Sequence, residues 1–290
     1  MRSIGLIVVL VASCLPAFAQ SGAASLGRGD VGVAITNESA TGIVNPAALP
    51  RINDWDPVCP SETKDGAYWE GTAAYTQDTE GYANEWGVNL AARKLNDNFG
   101  IGLAFADFGG GDKSWAFSYG KKLACCGGAW SWGANVRVPH STTGLDRTTV
   151  DLGVLYVKPT TMFGGGNWSF GAVGYDIFDE WGDFEGGGTT IDAGLGLTLK
   201  RFRLAADVWD ITNNSEVAGS DDSGTQFAIG AEYKVCKMLT VRTGWEQDGW
   251  TWGGSIRYRK LVADYGRIEY DNDEDVTKFG EMSLRYIDQW

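Results

Sequence analysis

The sequence has little of what most enzymes and metal sites use. Its 290 residues include one histidine, five cysteines and seven prolines. A single histidine falls short of the ligand sets typical of zinc sites, so we expect no metal and no cofactor. The net charge of −13 argues against a basic surface of the kind that binds nucleic acids, so we expect no nucleic-acid partner. Beyond residue 20, no apolar run approaches the ~18 residues of a membrane-spanning helix.

What is present begins with a segment typical of export. Arg2 gives a positive start, residues 4–12 form an apolar run, and Ala17-Phe18-Ala19 is a small-x-small cleavage site. We predict that residues 1–19 are a signal peptide, with a lipoprotein signal ending before Cys14 as the alternative. Four cysteines then reach an oxidising compartment, and their spacing leaves the pairing open: Cys59, Cys125, Cys126 and Cys236.

Apolar and polar residues alternate from residue 67 onward, in a chain with 41 glycines and 13 tryptophans. This alternation predicts strands with one apolar and one polar face. We predict fourteen strands, near 66–76, 82–95, 98–108, 112–124, 128–138, 146–158, 167–178, 188–199, 201–212, 224–235, 239–247, 250–259, 260–270 and 278–290. An even number of strands about ten residues long is typical of a bacterial outer-membrane barrel.

The connections favour this barrel over a soluble β-sandwich, which would alternate as well. Those after odd-numbered strands are mostly longer and more acidic than those after even-numbered strands, as in barrels whose termini face the periplasm. Tryptophans near strand ends on the apolar face predict a girdle at the lipid interface. The girdle consists of Trp86, Trp115, Trp130, Trp168, Trp245, Trp250 and Trp290. We therefore predict an all-β, 14-stranded antiparallel transmembrane barrel over residues 66–290, surrounded by outer-membrane lipid.

The polar face of the predicted strands carries charges of both signs, which point into the lumen. The basic ones are Arg93, Arg137, Arg203, Lys234, Arg242, Arg257, Arg259 and Arg285. The acidic ones are Asp151, Asp192, Asp207, Glu232, Glu246, Asp264 and Glu281. A selective pore more often has one dominant sign. This near balance favours charges that pair with one another and fill the lumen.

The chain ends on an alternating strand, MSLRYIDQW, with Met282, Leu284 and Tyr286 on one face. We predict that this strand pairs with the first strand near Tyr68 to Tyr75 and removes the edge of the sheet. Asp288 breaks the apolar pattern.

Residues 20–65 do not alternate and are rich in glycine and alanine. A barrel of fourteen strands has a lumen wider than its own side chains fill, so we expect this segment to enter it as a hatch. Asn45, Pro46 and Ala47 are the predicted hatch turn, with an ordinary Asn-Pro turn as the alternative.

Two regions resemble a known group. The stretch DVGVAITNESATGIVNPAAL, residues 30–49, resembles the N-terminal signature of the PorV/PorQ and FadL-like outer-membrane proteins, with Ala48 in place of the family's glycine. Later motifs are similar to the C-terminal half of that family and come in the same order. They are Gly230–Tyr233, Arg242–Trp245, Gly253-Gly254 and Asp264–Gly266.

The resemblance implies a 14-stranded barrel with an N-terminal hatch and a passive transport function for small hydrophobic or amphipathic compounds. FadL-like members bind hydrophobic molecules and release them sideways through the wall. PorV-type members bind exported proteins for a secretion system, which gives the alternative function of a protein-binding envelope component. A terminal aromatic strand resembles the signal read by the barrel-assembly machinery. The outer loops of this chain are shorter than those of the family.

An enzymatic function has one candidate residue. His140 precedes Ser141 in the predicted loop PHSTTG, but no motif such as G-x-S-x-G supports catalysis. We interpret it as a solvated loop residue. The acidic pairs and runs at Asp221-Asp222 and 271–275 lack the spacing of an EF-hand and are interpreted as solvated charge.

Overall fold

Fourteen antiparallel strands close into one barrel in the computed structural model. The structure describes residues 24, 28, 31–35, 41–52, 67–78, 84–94, 98–108, 111–123, 129–140, 148–161, 165–177, 189–212, 225–246, 249–271 and 276–289. The strands are β1 (Ala67–Asp78), β2 (Asn84–Lys94), β3 (Phe99–Asp107), β4 (Lys113–Lys122), β5 (Trp130–His140), β6 (Thr149–Thr160), β7 (Gly166–Tyr175), β8 (Thr190–Leu199), β9 (Phe202–Trp209), β10 (Gln226–Lys234), β11 (Leu239–Glu246), β12 (Gly249–Tyr258), β13 (Leu261–Asp271) and β14 (Val276–Gln289). The predicted signal peptide, Cys59, Cys125, Cys126, Asp221, Asp222 and Trp290 lie outside the described residues.

Each strand pairs with its neighbours in the sequence, and β14 pairs with β1. Tyr68 lies opposite Gln289 and Tyr75 lies opposite Met282, which confirms the predicted closure. Every predicted strand overlaps one observed strand, so the 14-stranded barrel is confirmed. Within the described ranges, no helix is long and apolar enough to cross a membrane.

The outer surface of the barrel is apolar, and its interior is polar. Leu195, Phe227 and Ile256 point outward and are 57%, 57% and 62% exposed. Glu232 and Asp264 point inward and are 1% and 3% exposed. A soluble sandwich has the opposite arrangement, with its apolar side chains inside. The distribution is the one expected of a barrel surrounded by lipid.

Some strand ends differ from the prediction. β5 runs to His140, because Pro139 and His140 continue the pairing with Ser114 and Lys113 of β4. The prediction that His140 lies in a loop was therefore wrong. Proline is tolerated here because it stands at the end of a strand, where one ladder hydrogen bond is lost at little cost.

The two ends of the barrel differ in their connections. We call the end that carries Tyr68 and Gln289 the terminal rim and the opposite end the distal rim. The longest connections, 176–189 and 210–225, are both on the distal rim. Each begins at an aspartate with positive φ, Asp176 (54°) and Asp210 (47°), a conformation that aspartate tolerates better than most residues.

The described residues of the N-terminal segment lie inside the lumen and include two short helices, α1 (Thr41–Val44) and the 3-10 helix η1 (Pro46–Arg51). We call its described residues, from Ala24 to Ile52, the plug. All six residues of η1 are buried. Leu49 and Ile52 pack with Tyr68, Ala91, Val262 and Ile287 near the terminal rim. The plug therefore occupies part of the lumen and contacts both sides of the wall.

Candidate functional site

Asn45 organises the turn at the centre of the plug. Its side-chain oxygen accepts a hydrogen bond from the Ala47 amide at 3.0 Å and caps η1, while Pro46 occupies the first helical position. Its amide nitrogen donates to the Val33 carbonyl at 2.7 Å and to the Val154 carbonyl of β6 at 3.2 Å. One buried side chain thus joins two parts of the plug to the wall.

Side chains of the wall bind the plug mainly through its backbone. Ser131 donates to the Ala47 carbonyl at 2.7 Å, and Arg93 donates to the Pro50 carbonyl at 3.1 Å. Asn135 donates to the Ile43 carbonyl at 2.7 Å. Tyr175 donates to the Val44 carbonyl at 2.8 Å. These four contacts are independent of the plug's side chains.

The first part of the plug has charged contacts with β9 and β10. The Asp207 carboxylate accepts hydrogen bonds from the successive amides of Gly32 and Val33, at 2.7 and 2.9 Å. The Arg28 guanidinium forms an ion pair with Glu232 at 3.0 Å, with both side chains 1% exposed. Charge-assisted contacts of this kind are stronger than hydrogen bonds between neutral groups.

A row of inward glycines lets the plug backbone lie directly on the backbone of the wall. We call this row the glycine belt, and its members are Gly100, Gly120, Gly133, Gly153, Gly171 and Gly194. A Cβ atom at Gly120 or Gly133 would meet the Pro46 peptide group, and one at Gly153 would meet the Asn45 side chain. Each contact would fall below 3.0 Å, a distance that real Cβ atoms essentially never show. At Gly100, Gly120, Gly133 and Gly171 the nearest atoms belong to the plug backbone, so a larger residue there would displace the plug.

The strand register places these glycines in two groups. Gly100 pairs with Gly120, Gly120 with Gly133, and Gly133 with Gly153, so four strands place glycine at the same height. Gly171 of β7 pairs with Gly194 of β8, but Gly153 lies opposite Val173, so this second pair is offset by two residues. The inward position of these glycines was readable from the alternation. Their alignment was not, because it depends on the register of several strand pairs.

The other half of the lumen is filled by ion pairs between wall residues. Glu232 of β10 contacts Arg242 of β11 at 2.7 Å and Arg203 of β9 at 3.8 Å. Asp264 of β13 contacts Arg285 of β14 at 2.6 Å and Arg242 at 3.4 Å. Ser255 bridges Arg242 and Asp264.

Arg285 extends these contacts to β1, where it lies 3.8 Å from Glu70, and Tyr68 donates to Glu70 at 2.8 Å. We call Arg203, Glu232, Arg242, Asp264, Arg285 and Glu70 the ionic network. All of its members are buried.

A third set of polar groups lies toward the distal rim. Arg137 forms an ion pair with Asp151 at 2.7 Å and lies 5.1 Å above the Tyr175 ring. Asp192 accepts a hydrogen bond from the Asp210 amide at 2.9 Å. Nearby, a pocket of about 20 Å³, room for about one water molecule, separates the plug from the wall. It is lined by Ile43, Asn89, Ala104, Ala106, Ser114, Ala116 and Arg137.

Most of the remaining predicted lumen charges lie near the ends of their strands, and Glu281 lies within β14. Glu246 stands at the end of β11, and Glu281 is buried in β14. Lys234 and Arg257 are half-buried near the terminal rim. Arg259 lies in the turn after β12 with a positive φ of 55° and an exposed side chain, so it is not part of the lumen. The prediction extended the alternation of β12 one step too far.

Six of the seven predicted girdle tryptophans lie within the described residues, on the outward face. Trp86, Trp115, Trp245 and Trp250 stand toward the distal rim, and Trp130 and Trp168 toward the terminal rim. Two of them have close aromatic neighbours: Trp115 lies 4.6 Å from Phe105 and Trp130 lies 4.8 Å from Tyr156, measured between ring centroids.

Other candidates from the sequence are isolated from the lumen. His140 ends β5 opposite Lys113. Cys236 is a free, exposed cysteine in the turn after β10. Asp288 accepts a hydrogen bond from Lys260, which raises the pKa of that lysine. Among the residues that the structure describes, no group of histidine, cysteine and acidic side chains is arranged to hold a metal ion.

No family model matches the chain. No curated protein matches its sequence. Among solved structures, the Pseudomonas putida toluene transporter TodX is 11% identical, with coverage of 94% of this chain and 98% of that chain and a TM-score of 0.55. This chain has the FadL-type fold. The monoaromatic hydrocarbon channel CymD (13% identity, 93% and 97% coverage, TM-score 0.57) and a Pseudomonas aeruginosa FadL homologue (12%, 93% and 99%, 0.54) are similar to the same extent.

Proposed function

We propose that the protein is a passive transporter of small hydrophobic or amphipathic compounds in the outer membrane, with the plug as its gate. The observation that carries this proposal is the plug itself, a segment held inside a closed barrel largely by hydrogen bonds to its backbone. A purely structural barrel of this width needs no such segment. The fold shared with TodX and CymD, whose names describe a toluene transporter and a monoaromatic hydrocarbon channel, supports the choice of permeant.

The outward apolar face and the predicted signal peptide support a location in the outer membrane. The terminal rim then faces the periplasm and the distal rim faces outward, as in other barrels with short periplasmic turns. We propose that the exported chain has two parts: residues 20–65 form the gate segment, and residues 66–290 form the barrel wall. Because the plug occupies the lumen beside the glycine belt, we propose that transport requires the plug to move.

An uptake assay in cells tests the proposal. The full chain is produced in a Gram-negative host that lacks its own channels of this fold, and uptake of radiolabelled toluene and of a medium-chain fatty acid is measured. We expect faster uptake of at least one of them than in the host alone. Equal rates with and without the folded protein would contradict transport. A heat-modifiable gel shift in detergent shows that the barrel has folded.

The protein-binding function implied by the PorV resemblance stays a prediction. Chemical cross-linking in intact cells separates it from transport, because a transporter needs no stoichiometric protein partner. A single cross-linked partner in equal amount would favour the binding function.

A further inference from the structure

Exposed basic side chains are concentrated at one end of the barrel. The chain has a net charge of −13, and the distal rim carries acidic residues such as Asp107, Asp112 and Glu269. The terminal rim, in contrast, carries exposed basic residues. Five of them lie between β4 and β11, and we call these five the basic arc. They are Lys121 of β4, Lys158 of β6, Lys200 and Arg201 in the turn after β8, and Lys237 in the turn after β10.

The basic arc has no counter-charge from the protein. Within the described ranges, none of its five side chains forms an ion pair. Farther along the same rim, Lys260 is paired with Asp288. On the distal rim, Lys113 lies 3.9 Å from Asp107. Charges of one sign repel each other, so an anionic ligand beside the arc would relieve this repulsion.

Two members of the arc lie on the outward side of the wall. Lys121 has the same parity on β4 as Phe117 and Tyr119, whose side chains are 54% and 38% exposed. Lys158 has the same parity on β6 as Val154, which also points outward. Lipid surrounds this face of a transmembrane barrel, so a soluble protein that docks on the turns of the rim cannot cover the two lysines. A lipid headgroup reaches both of them.

Aromatic rings lie between the two lysines along the wall. Lys121 lies opposite Trp132 of β5. On the same strand, Trp130 lies opposite Tyr156 of β6, with 4.8 Å between the ring centroids. Lys158 stands two residues beyond Tyr156, toward the terminal rim. Tryptophan and tyrosine lie at the headgroup level of a membrane, and a lysine stem extends along apolar surface while its ammonium group stays on the polar side.

We propose that the basic arc is a binding site for anionic phospholipid headgroups, with Lys121 and Lys158 as its lipid-facing contacts. Lys200, Arg201 and Lys237 extend the same charge along the rim. A zwitterionic headgroup brings an ammonium group with its phosphate and offsets less of this charge, so the site prefers anionic lipid. The inference is independent of the proposed transport function, because it requires only that the outward face lies in a membrane.

Native mass spectrometry of the full chain in detergent tests the site. The protein is titrated with an equimolar mixture of phosphatidylglycerol, which is anionic, and phosphatidylcholine, which is zwitterionic, with the same acyl chains. We expect wild type to bind phosphatidylglycerol about tenfold more tightly or better, because each basic residue near a membrane surface strengthens the attraction of anionic lipid about fivefold. Equal binding of the two lipids would overturn the inference.

The variant Lys121→Gln with Lys158→Gln removes the two lipid-facing charges. We expect it to lower the preference for phosphatidylglycerol about fivefold or more. Lys121→Arg with Lys158→Arg keeps the charges and should keep the preference. Lys113→Gln is the matched control, because it removes an outward lysine of the distal rim. A preference that is unchanged in the double glutamine variant would overturn the role of these two lysines.

The turn residues separate a lipid from an acidic protein as the ligand of the arc. Lys200→Gln, Arg201→Gln and Lys237→Gln together should lower the lipid preference less than the loss of Lys121 and Lys158 does. A preference that is lost only in this turn variant would place the site on the turns, where a soluble acidic partner can dock, and would overturn the lipid-facing site. The gel shift shows whether each variant has folded, and the two single glutamine variants keep the test decisive if the double variant does not fold.

Discussion

Asn45 is the single residue that holds the turn of the plug together. Its side chain makes three hydrogen bonds, to Ala47, Val33 and Val154, and is fully buried. The sequence predicts a turn here, because asparagine before proline commonly begins one. The contact with β6 was beyond prediction, since nothing in a local motif says which strand lies beside it.

Replacing Asn45 by alanine should loosen the plug without opening the barrel. The change leaves buried carbonyl and amide groups without partners, at a cost of about 1–3 kcal/mol, which corresponds to a roughly 5- to 150-fold rise in local opening. Hydrogen exchange of residues 41–52, followed by mass spectrometry, measures this rise. Asn98→Ala, at an exposed residue in the turn before β3, is the control. Unchanged exchange in Asn45→Ala would show that the turn is held by other contacts.

Replacing Glu232 by glutamine should destabilise the whole protein. Arg28, Arg203 and Arg242 all lie within 4 Å of this carboxylate. Removing its charge leaves three buried guanidinium groups without their shared partner, at a cost of about 3–5 kcal/mol. The midpoint of urea unfolding in lipid vesicles measures the loss.

Asp288→Asn is the control for Glu232→Gln, because it removes an exposed ion pair with Lys260. The Asp288 contact raises the pKa of Lys260, so whatever the pair contributes is present at neutral pH and is lost only as the pH rises above the usual lysine range. Surface pairs contribute little to stability, so we expect this variant to unfold close to wild type. Equal losses of stability in the two variants would contradict the prediction that the buried contacts of Glu232 stabilise the protein more than the exposed pair does.

At the scale of elements, β13 shows that inward and outward residues alternate even where charged residues lie on the outward face. In the sequence its alternation is interrupted, because Arg267 and Glu269 fall on the apolar face. In the structure it is regular, with Val262, Asp264 and Ile268 inward, and with Arg267 and Glu269 outward among lipid-facing residues. The outward pair is tolerated because it lies opposite Trp252 and Trp250, at the level of the aromatic girdle.

A double-mutant cycle tests the outward pair on β13. Arg267 and Glu269 form an ion pair at 3.0 Å, and Arg267 lies 5.9 Å from the Trp252 ring. We expect Glu269→Leu alone to destabilise by about 1 kcal/mol, since it leaves an unpaired charge near lipid. Arg267→Leu with Glu269→Leu should return to within about 1 kcal/mol of wild type. Additive losses in urea unfolding would show that the two side chains act independently.

The strands were predictable because each one faces lipid on its outer side and polar groups on its inner side. This arrangement makes apolar and polar residues alternate with a period of two. The ends of β5 and β6 were less predictable, because Pro139 and Pro159 signal a turn wherever they stand, and only pairing with β4 and β7 shows that the strand continues. The glycine belt was out of reach for another reason. The alternation places these glycines inward, but nothing in the sequence indicates that another backbone lies directly against them.

At the scale of the whole molecule, the wall should form without the plug. All fourteen ladders join residues between 67 and 289, and the ionic network lies within the same range. Deleting residues 24–52 should therefore leave a heat-modifiable barrel that conducts continuously in planar bilayers and unfolds at lower urea concentration than the full chain. Loss of the gel shift on deletion would show that the plug is needed for folding.

The sequence predicts the barrel, its closure and an inserted N-terminal segment, because each follows from a pattern repeated along the chain. It does not predict which wall residues hold that segment. That choice depends on Asp207, Glu232, Asn135 and the belt acting together, and these residues are far apart in the sequence.

The pairing of β14 with β1 also constrains how the molecule is assembled. The two strands are the first and last of the wall, so the ring cannot close until the entire chain has been delivered. The plug precedes β1 and rests mainly against β3–β10, strands made before the last ones. A half-built, open sheet would thus already present the surface on which the plug rests. Building the wall around a seated N-terminus avoids having to thread that segment into a finished cylinder.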